Sequence, residues 1–156
     1  MTRKTITRAE ITKAAEPAIA EAKSAEEIAR CYPVMRELRT HLSMPDEFVE
    51  RVQRQQKDGY RIVYLEAGGK IRAVAGYRLS ESLFAGRFLY VDDLVTSAKD
   101  RSVGFGGQLF DWLVRFARAQ KCEHLELDSG VQRFDAHRFY LMRRMSISSH
   151  HFTLKL

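Results

Sequence analysis

The stretch Val91-Asp-Asp-Leu-Val-Thr-Ser-Ala-Lys-Asp-Arg-Ser-Val-Gly-Phe-Gly-Gly107 carries most of what this chain says about its fold. It begins inside an apolar run, Phe88 to Val95, that holds two carboxylates and reads as a strand. A short polar segment follows, then Arg101-Ser-Val-Gly104-Phe-Gly106-Gly107, and then apolar spacing that predicts a helix from about Gln108 to Gln120. A strand that feeds a glycine-rich turn and a helix start is a backbone cradle for an anion. The first turn of a helix leaves N–H groups unpaired, and the helix dipole favours negative charge there. Gly104 and Gly106 put no Cβ between those groups and a phosphate. The stretch is expected to bind a phosphate-bearing ligand.

Named phosphate loops can be tested against it. A P-loop needs G-x-x-x-x-G-K-[ST], and no glycine here is followed by Lys and then Ser or Thr in that frame. A dinucleotide fingerprint needs G-x-G-x-x-G, but after Gly104 and Gly106 the third place is Leu109. What remains is R-x-x-G-x-G, Arg101 to Gly106, four residues after the strand segment Asp92-Asp-Leu-Val-Thr96. Further on, Ala136-His-Arg-Phe139-Tyr140 follows a predicted strand at His124–Asp128. These two segments, in this order and at this distance, resemble the acyl-CoA pyrophosphate loop and the A-x-x-F-Y helix start of the GNAT (Gcn5-related) N-acetyltransferase superfamily. The resemblance covers roughly Ala18 to Leu156. It implies an α/β (α+β) fold: a mixed, mostly antiparallel six- to seven-stranded central sheet flanked by about four helices.

The resemblance also implies a chemistry, transfer of an acetyl group from acetyl-CoA to a primary amine. An ammonium has no lone pair, and with a pKa of about 10.4 only about one amine in a thousand is neutral near pH 7, so a base is needed. Donors must face the thioester oxygen as it gains charge, and a proton donor eases departure of the thiolate. Asp92 and Asp93 resemble the acidic pair at this strand position in diamine and polyamine acetyltransferases. By that likeness Asp92 is the expected base and Asp93 the partner of substrate charge, though which of the two is the base stays open. Strand alternation would send the two to opposite faces, Asp92 sharing one with Tyr90 and Leu94. Tyr140 stands at the family's position for protonating the thiolate. Leu94, Val95 and Thr96 would meet the pantetheine arm through backbone groups. Arg101, the amides of Val103, Gly104, Phe105, Gly106 and Gly107, and Gln108 would hold the pyrophosphate, with Phe139 beside them in the A-x-x-F-Y segment. Arg133, Arg138 and Arg143 are candidates for a 3′-phosphate. Two places depart from the family pattern: Arg133 stands where Asn is frequent, and Arg144-Met145 where Gly-Phe is frequent.

The bulk properties fit. With 156 residues, 45% of them hydrophobic and 29% charged, the chain is long enough for one self-sufficient core. Residues 1–17 are polar and expected to be a flexible extension, with 18–156 a single GNAT-like domain. No apolar run approaches the ~20 residues of a membrane span. The N-terminus lacks a signal-peptide core, so a cytoplasmic location is expected. Cys31 and Cys122 have no metal-type spacing and read as buried thiols, and no metal is expected. The net charge of +6 suits an anionic ligand, but no basic arm or zinc-finger spacing points to nucleic acid.

Ala18–Ala22 is expected as an edge strand on the resemblance alone. Ser24-Ala-Glu-Glu27 is a capping box and starts a helix that Pro33 is expected to kink or split. Pro45 opens the next helix. In the family these helices flank the acceptor cleft, which places His41 and Met44 as substrate-wall candidates. Tyr60–Glu66, Ile71–Leu79 and Phe88–Thr96 read as an antiparallel meander. The strand at Glu123–Asp128 must run parallel to the last of these, since a helix joins them. A helix over Phe134–Met145 and a final strand over Ser146–Leu156 complete the reading. In the family, terminal strands often pair two copies, which allows a homodimer. Protein Lys or N-terminal acetylation, or acyl-CoA binding without catalysis, are the competing functions.

Overall fold

The structure, a computed structural model, describes residues 16–156. The expected flexible extension therefore lies outside the described residues, apart from Glu16 and Pro17, which are exposed and lead into the first strand. Five strands form one sheet in the order β1-β2-β3-β4-β5: β1 Ala18–Ala22, β2 Arg61–Ala67, β3 Lys70–Ser82, β4 Gly86–Thr96 and β5 His124–Leu127. The first four pair antiparallel and β4 pairs β5 in parallel. Four α-helices accompany them: α1 Ala25–Leu38, α2 Pro45–Gln56, α3 Phe105–Ala119 and α4 Phe134–Met142.

The sheet is smaller than the six to seven strands expected, because Ser146–Leu156 joins no ladder and lies exposed. Its alternation is genuine but unproductive. One side offers Ile147, Ser149 and His151, the other Ser148, His150 and Phe152 with Leu154 and Leu156 beyond, and these apolar side chains stay exposed. The four residues of β5 also offer few ladder bonds.

Each sheet face carries its own core. On one, Ile28, Cys31 and Met35 of α1 and Phe48 and Val52 of α2 pack on Ile62, Val74 and Val95. On the other, Leu109 and Leu113 of α3 pack on Val63, Ala75, Tyr77 and Leu89. Burial of each Ile, Leu, Val, Met or Phe among them contributes about 1.5–3 kcal/mol. β2 feeds both cores, Ile62 and Tyr64 one way, Val63 and Leu65 the other, and so reads as a continuous apolar run.

Local signals set the helix starts. The Ser24 hydroxyl accepts from the Glu27 amide at 3.2 Å, and the Glu27 carboxylate accepts from the Ser24 amide at 2.9 Å. Pro33 does not split α1. It sits on the exposed side, where the carbonyl left without its donor can hydrate, while Cys31, Tyr32, Val34 and Met35 are buried beneath. α3 begins at Phe105, three residues before the expected Gln108, so Gly106 and Gly107 belong to its first turn.

Candidate active site

The loop between β4 and α3 is tied down at its start. Arg72 of β3 pairs with both Asp100 oxygens at 3.1 Å, and its carbonyl accepts from the Ser97 amide at 2.8 Å. Glu37 of α1 accepts from the Ala98 amide at 2.7 Å. The chain then turns through Ser102 (φ 68°) and Gly104 (φ 98°) into α3. Gly104 is the N-cap residue and has no side chain to give, so the helix start stays uncapped. The amides of Gly104, Phe105, Gly106 and Gly107 have no acceptor among the described residues. A Cβ on Gly106 would meet Thr96 Oγ1 at 2.5 Å, so the turn rests directly on the end of β4. Arg101, Val103 and Gln108 are exposed around it, and Phe105 is half-buried against the α3 core. Unpaired amides, glycines and the exposed guanidinium of Arg101 fit a diphosphate.

Beside the loop, two strands part. The β4–β5 ladder runs from Phe88↔His124 to Val91↔Leu127 and ends there. Asp92 to Thr96 continue along β3 without a partner on the other side. A cavity of about 540 Å³ opens in the gap, floored by Val91, Asp92 and Leu94 and closed by Ser129, Arg133 and Tyr140. The Ser129 hydroxyl is buried in it without a hydrogen-bond partner among the described residues. Leu94 lines the gap, Val95 turns its side chain into the α1 core, and Thr96 abuts Gly106. Tyr140 packs on Phe110 and Phe139, and burial raises its hydroxyl above the ordinary tyrosine value, so it stays protonated at neutral pH. Phe139 stands edge-on to Phe110 at 5.8 Å, which anchors α4 to α3.

A β-bulge places the acids. Gly76 of β3 faces Asp93 and Tyr77 faces Val91, so Asp92 has no opposite number. Before the bulge Leu89 and Val91 pack on α3; after it Leu94 does, while Asp93 and Val95 turn toward α1 and α2. Asp92 and Asp93 thus enter the same cleft, contrary to simple alternation, and Leu94 does not share their face. Asp93 is buried. It accepts from Arg39 Nε at 2.6 Å and from the Tyr60 hydroxyl at 2.6 Å. Both its oxygens are engaged within the protein. Asp92 accepts from Arg78 Nε at 3.1 and 3.2 Å, while Arg78 is held in turn by Gln55 of α2. Burial raises the Asp92 carboxyl above the usual aspartate range; Arg78 opposes the shift and Asp93 adds to it.

These acids border a second cavity of about 460 Å³ beneath α1 and α2. Met35, Leu42, Phe48 and Val52 back it, and the exposed His41 stands at its edge. Asp92 lines both cavities, as do Arg39 and Asp128. Sequence reasoning missed Arg39, Tyr60, Arg78 and Asp128. Arg39, Tyr60 and Arg78 are remote from the Asp doublet in sequence and meet it only through the fold. Asp128 carried a readable signal: it follows a parallel strand at the edge where the sheet opens. Of the basic candidates for a 3′-phosphate, Arg143 is paired with Asp111 and bonds the Gly107 carbonyl at 3.3 Å, and Arg133 lines the first cavity. Among the described residues no cluster of three His, Cys, Asp or Glu could hold a metal, and no helix is long and apolar enough to cross a membrane.

Residues 23–144 match the Acetyltransferase (GNAT) family. The chain is 41% identical over 118 residues to YhdJ of Bacillus subtilis (strain 168), an uncharacterized N-acetyltransferase, a stretch covering 75% of this chain and 82% of that protein. Solved structures share the fold. A transcriptional regulator from Bacillus halodurans C-125 superposes with a TM-score of 0.79 at 20% identity, over 90% of this chain and 100% of that one. AAC(6')-Iy, solved with the bisubstrate analog CoA-S-monomethyl-acetylneamine, gives 0.75 at 10% identity, over 91% of this chain and 99% of that one. The chain belongs to the acetyltransferase (GNAT) family, and its enzyme class is that of a GNAT-type acyltransferase.

Proposed function

We propose that this protein transfers an acetyl group from acetyl-CoA directly to the primary amine of a small molecule. One observation carries the reading: the gap between β4 and β5 and the cavity under α1 and α2 meet at Asp92. A donor in the first and an amine in the second would come together beside a carboxylate.

Acetyl-CoA, when bound, supplies the acyl thioester. The unpaired amides of Gly104 to Gly107, with Arg101 and Gln108, hold its diphosphate. The unpartnered backbone of Leu94, Val95 and Thr96 and the orphaned Ser129 hydroxyl are free to bond its arm. The bound analog in AAC(6')-Iy, a protein of the same fold, supports a coenzyme A site on this scaffold. Asp92 accepts the proton of the amine, directly or through water; its raised pKa brings it nearer to the working pH than a solvated aspartate. Tyr140, across the first cavity from Asp92, donates the proton that the departing sulfur takes up. Asp93 fixes Arg39 and Tyr60, and so holds the wall between the cavities.

A cavity of about 460 Å³ suits a small acceptor. Thiol release from acetyl-CoA, measured across polyamines, amino acids, aryl-alkyl amines, aminoglycosides and basic peptides, tests the reading. Turnover confined to small amines is expected. Turnover confined to peptides would replace this reading with protein acetylation, and tight acetyl-CoA binding without release for any amine would replace it with a regulatory binding role.

A further inference from the structure

The acceptor cavity is bordered by three aspartates, but two are already neutralised. Arg78 pairs with Asp92 and Arg39 with Asp93. Arg51, the other cation on the lining, pairs with Glu47. Asp128 is different. It accepts from the Tyr90 hydroxyl through Oδ2, and His151 Nδ1 lies 3.4 Å from that same oxygen. Its Oδ1 has no partner among the described residues, its side chain is 49% exposed, and it lines both cavities. The cleft thus presents one carboxylate with a free oxygen, where donor and acceptor would meet. Met35, Leu42, Phe48 and Val52 lie behind the lining, buried in the core that α1 and α2 make with the sheet.

We propose that Asp128 is the specificity-determining residue of the acceptor site: it receives a single ammonium, so the preferred acceptor is a monoamine rather than a polycation. This rests on reading the second cavity as the amine site. Asp128 holds the ammonium through Oδ1, while Tyr90, donating to Oδ2, fixes the carboxylate's orientation. Burial and Asp128 both raise the Tyr90 hydroxyl's pKa, which keeps it a donor at neutral pH. A second or third ammonium on the substrate finds no further unpaired carboxylate on the lining.

The test is calorimetric titration of 2-phenylethylamine and of spermidine into the full chain, with and without coenzyme A, alongside amine KM from thiol release. Asp128→Asn should weaken 2-phenylethylamine about 10- to 100-fold, the range of one charge-assisted hydrogen bond, and raise its KM alike. The affinity for coenzyme A should stay unchanged, which also shows the variant is folded. Asp128→Glu should restore most of the affinity. Spermidine should gain nothing beyond the statistical count of its amines. Unchanged amine affinity in Asp128→Asn, a marked spermidine preference, or no heat from either amine overturns the proposal. Amine binding that depends on Asp128 without any thiol release would leave it standing and remove the transferase reading of the cavity instead.

Discussion

Gly76→Ala should damage this protein far more than its size suggests, because the Tyr60 ring occupies the space a Cβ would need. A Cβ built on Gly76 lies 2.5 Å from Tyr60 Cζ and 2.6 Å from Cε2, where real Cβ atoms stay beyond 3.0 Å. The ring cannot slide away freely. It is 4% exposed, the Arg78 guanidinium lies 5.1 Å from its centroid, and its hydroxyl is bound to Asp93, the residue opposite Gly76. Overpacking of this kind costs about 1–3 kcal/mol. Losing the hydroxyl's bond to a carboxylate adds about 1.5–3 kcal/mol, and replacing a strand glycine returns about 0.5–1 kcal/mol. The net loss is about 3 kcal/mol. At roughly 2–4 °C per kcal/mol for a chain of this length, Tm should fall by about 6–12 °C. Differential scanning calorimetry of the full chain reads it. The Tyr60→Leu background supplies the control, since it removes the ring that the methyl strikes. There Gly76→Ala should cost little, giving a coupling of about 3 kcal/mol. A fall in Tm below about 2 °C, or a cycle in which the two changes simply add, would refute the steric reasoning.

The proposed mechanism yields three further expectations. Gly106→Glu puts a carboxylate among the unpaired amides of the α3 start, and its Cβ presses on Thr96, so it should abolish acetyl-CoA binding and lower Tm; unchanged affinity by calorimetry would remove the diphosphate assignment. Tyr140→Phe should lower kcat roughly 100-fold or more, the scale of a lost general acid, with little change in acetyl-CoA affinity; full activity would exclude Tyr140 as the acid. Asp92→Asn should lower kcat/KM most at the lower pH values above the raised Asp92 pKa, where the amine is charged and a base matters most, and less as pH approaches the amine's own value of about 10.4. A loss by the same factor at every pH would make Asp92 a positioning residue only.

How much could be read in advance follows from the range of each interaction. β2, β3 and β5, the capping box at Ser24–Glu27 and the parallel sense of β5 rest on short-range patterns, and all appear where the residues placed them. That α1 runs unsplit through Pro33 and that Ser146–Leu156 forms no strand depend on partners. Pro33 is carried by buried neighbours within α1, and Ser146–Leu156 leaves Phe152, Leu154 and Leu156 exposed and joins no strand among the described residues. The uncapped glycine turn at the start of α3 was legible because glycine positions and a helix start are local features. The cavity beneath α1 and α2 was not. Arg39 lies 54 residues from Asp93 in sequence and Tyr60 lies 33 from it. No periodicity links such distant residues to the doublet.

The residue that defeated the sequence reading is also the one that makes the site. Alternation in an unbroken β4 would turn one of Asp92 and Asp93 away from the cleft. The unmatched residue at Asp92 shifts the alternation by one position, which swings Asp93 beneath α1 and lets Arg39 and Tyr60 hold it. A bulge also bends its strand and sharpens the local twist. The ladder to β5 ends at Val91, the last residue before it. One inserted residue therefore accounts both for the gap that would admit a donor and for the acids that border the acceptor cavity. The two needs of the reaction, an open strand edge and a carboxylate beside it, need not have separate structural causes here.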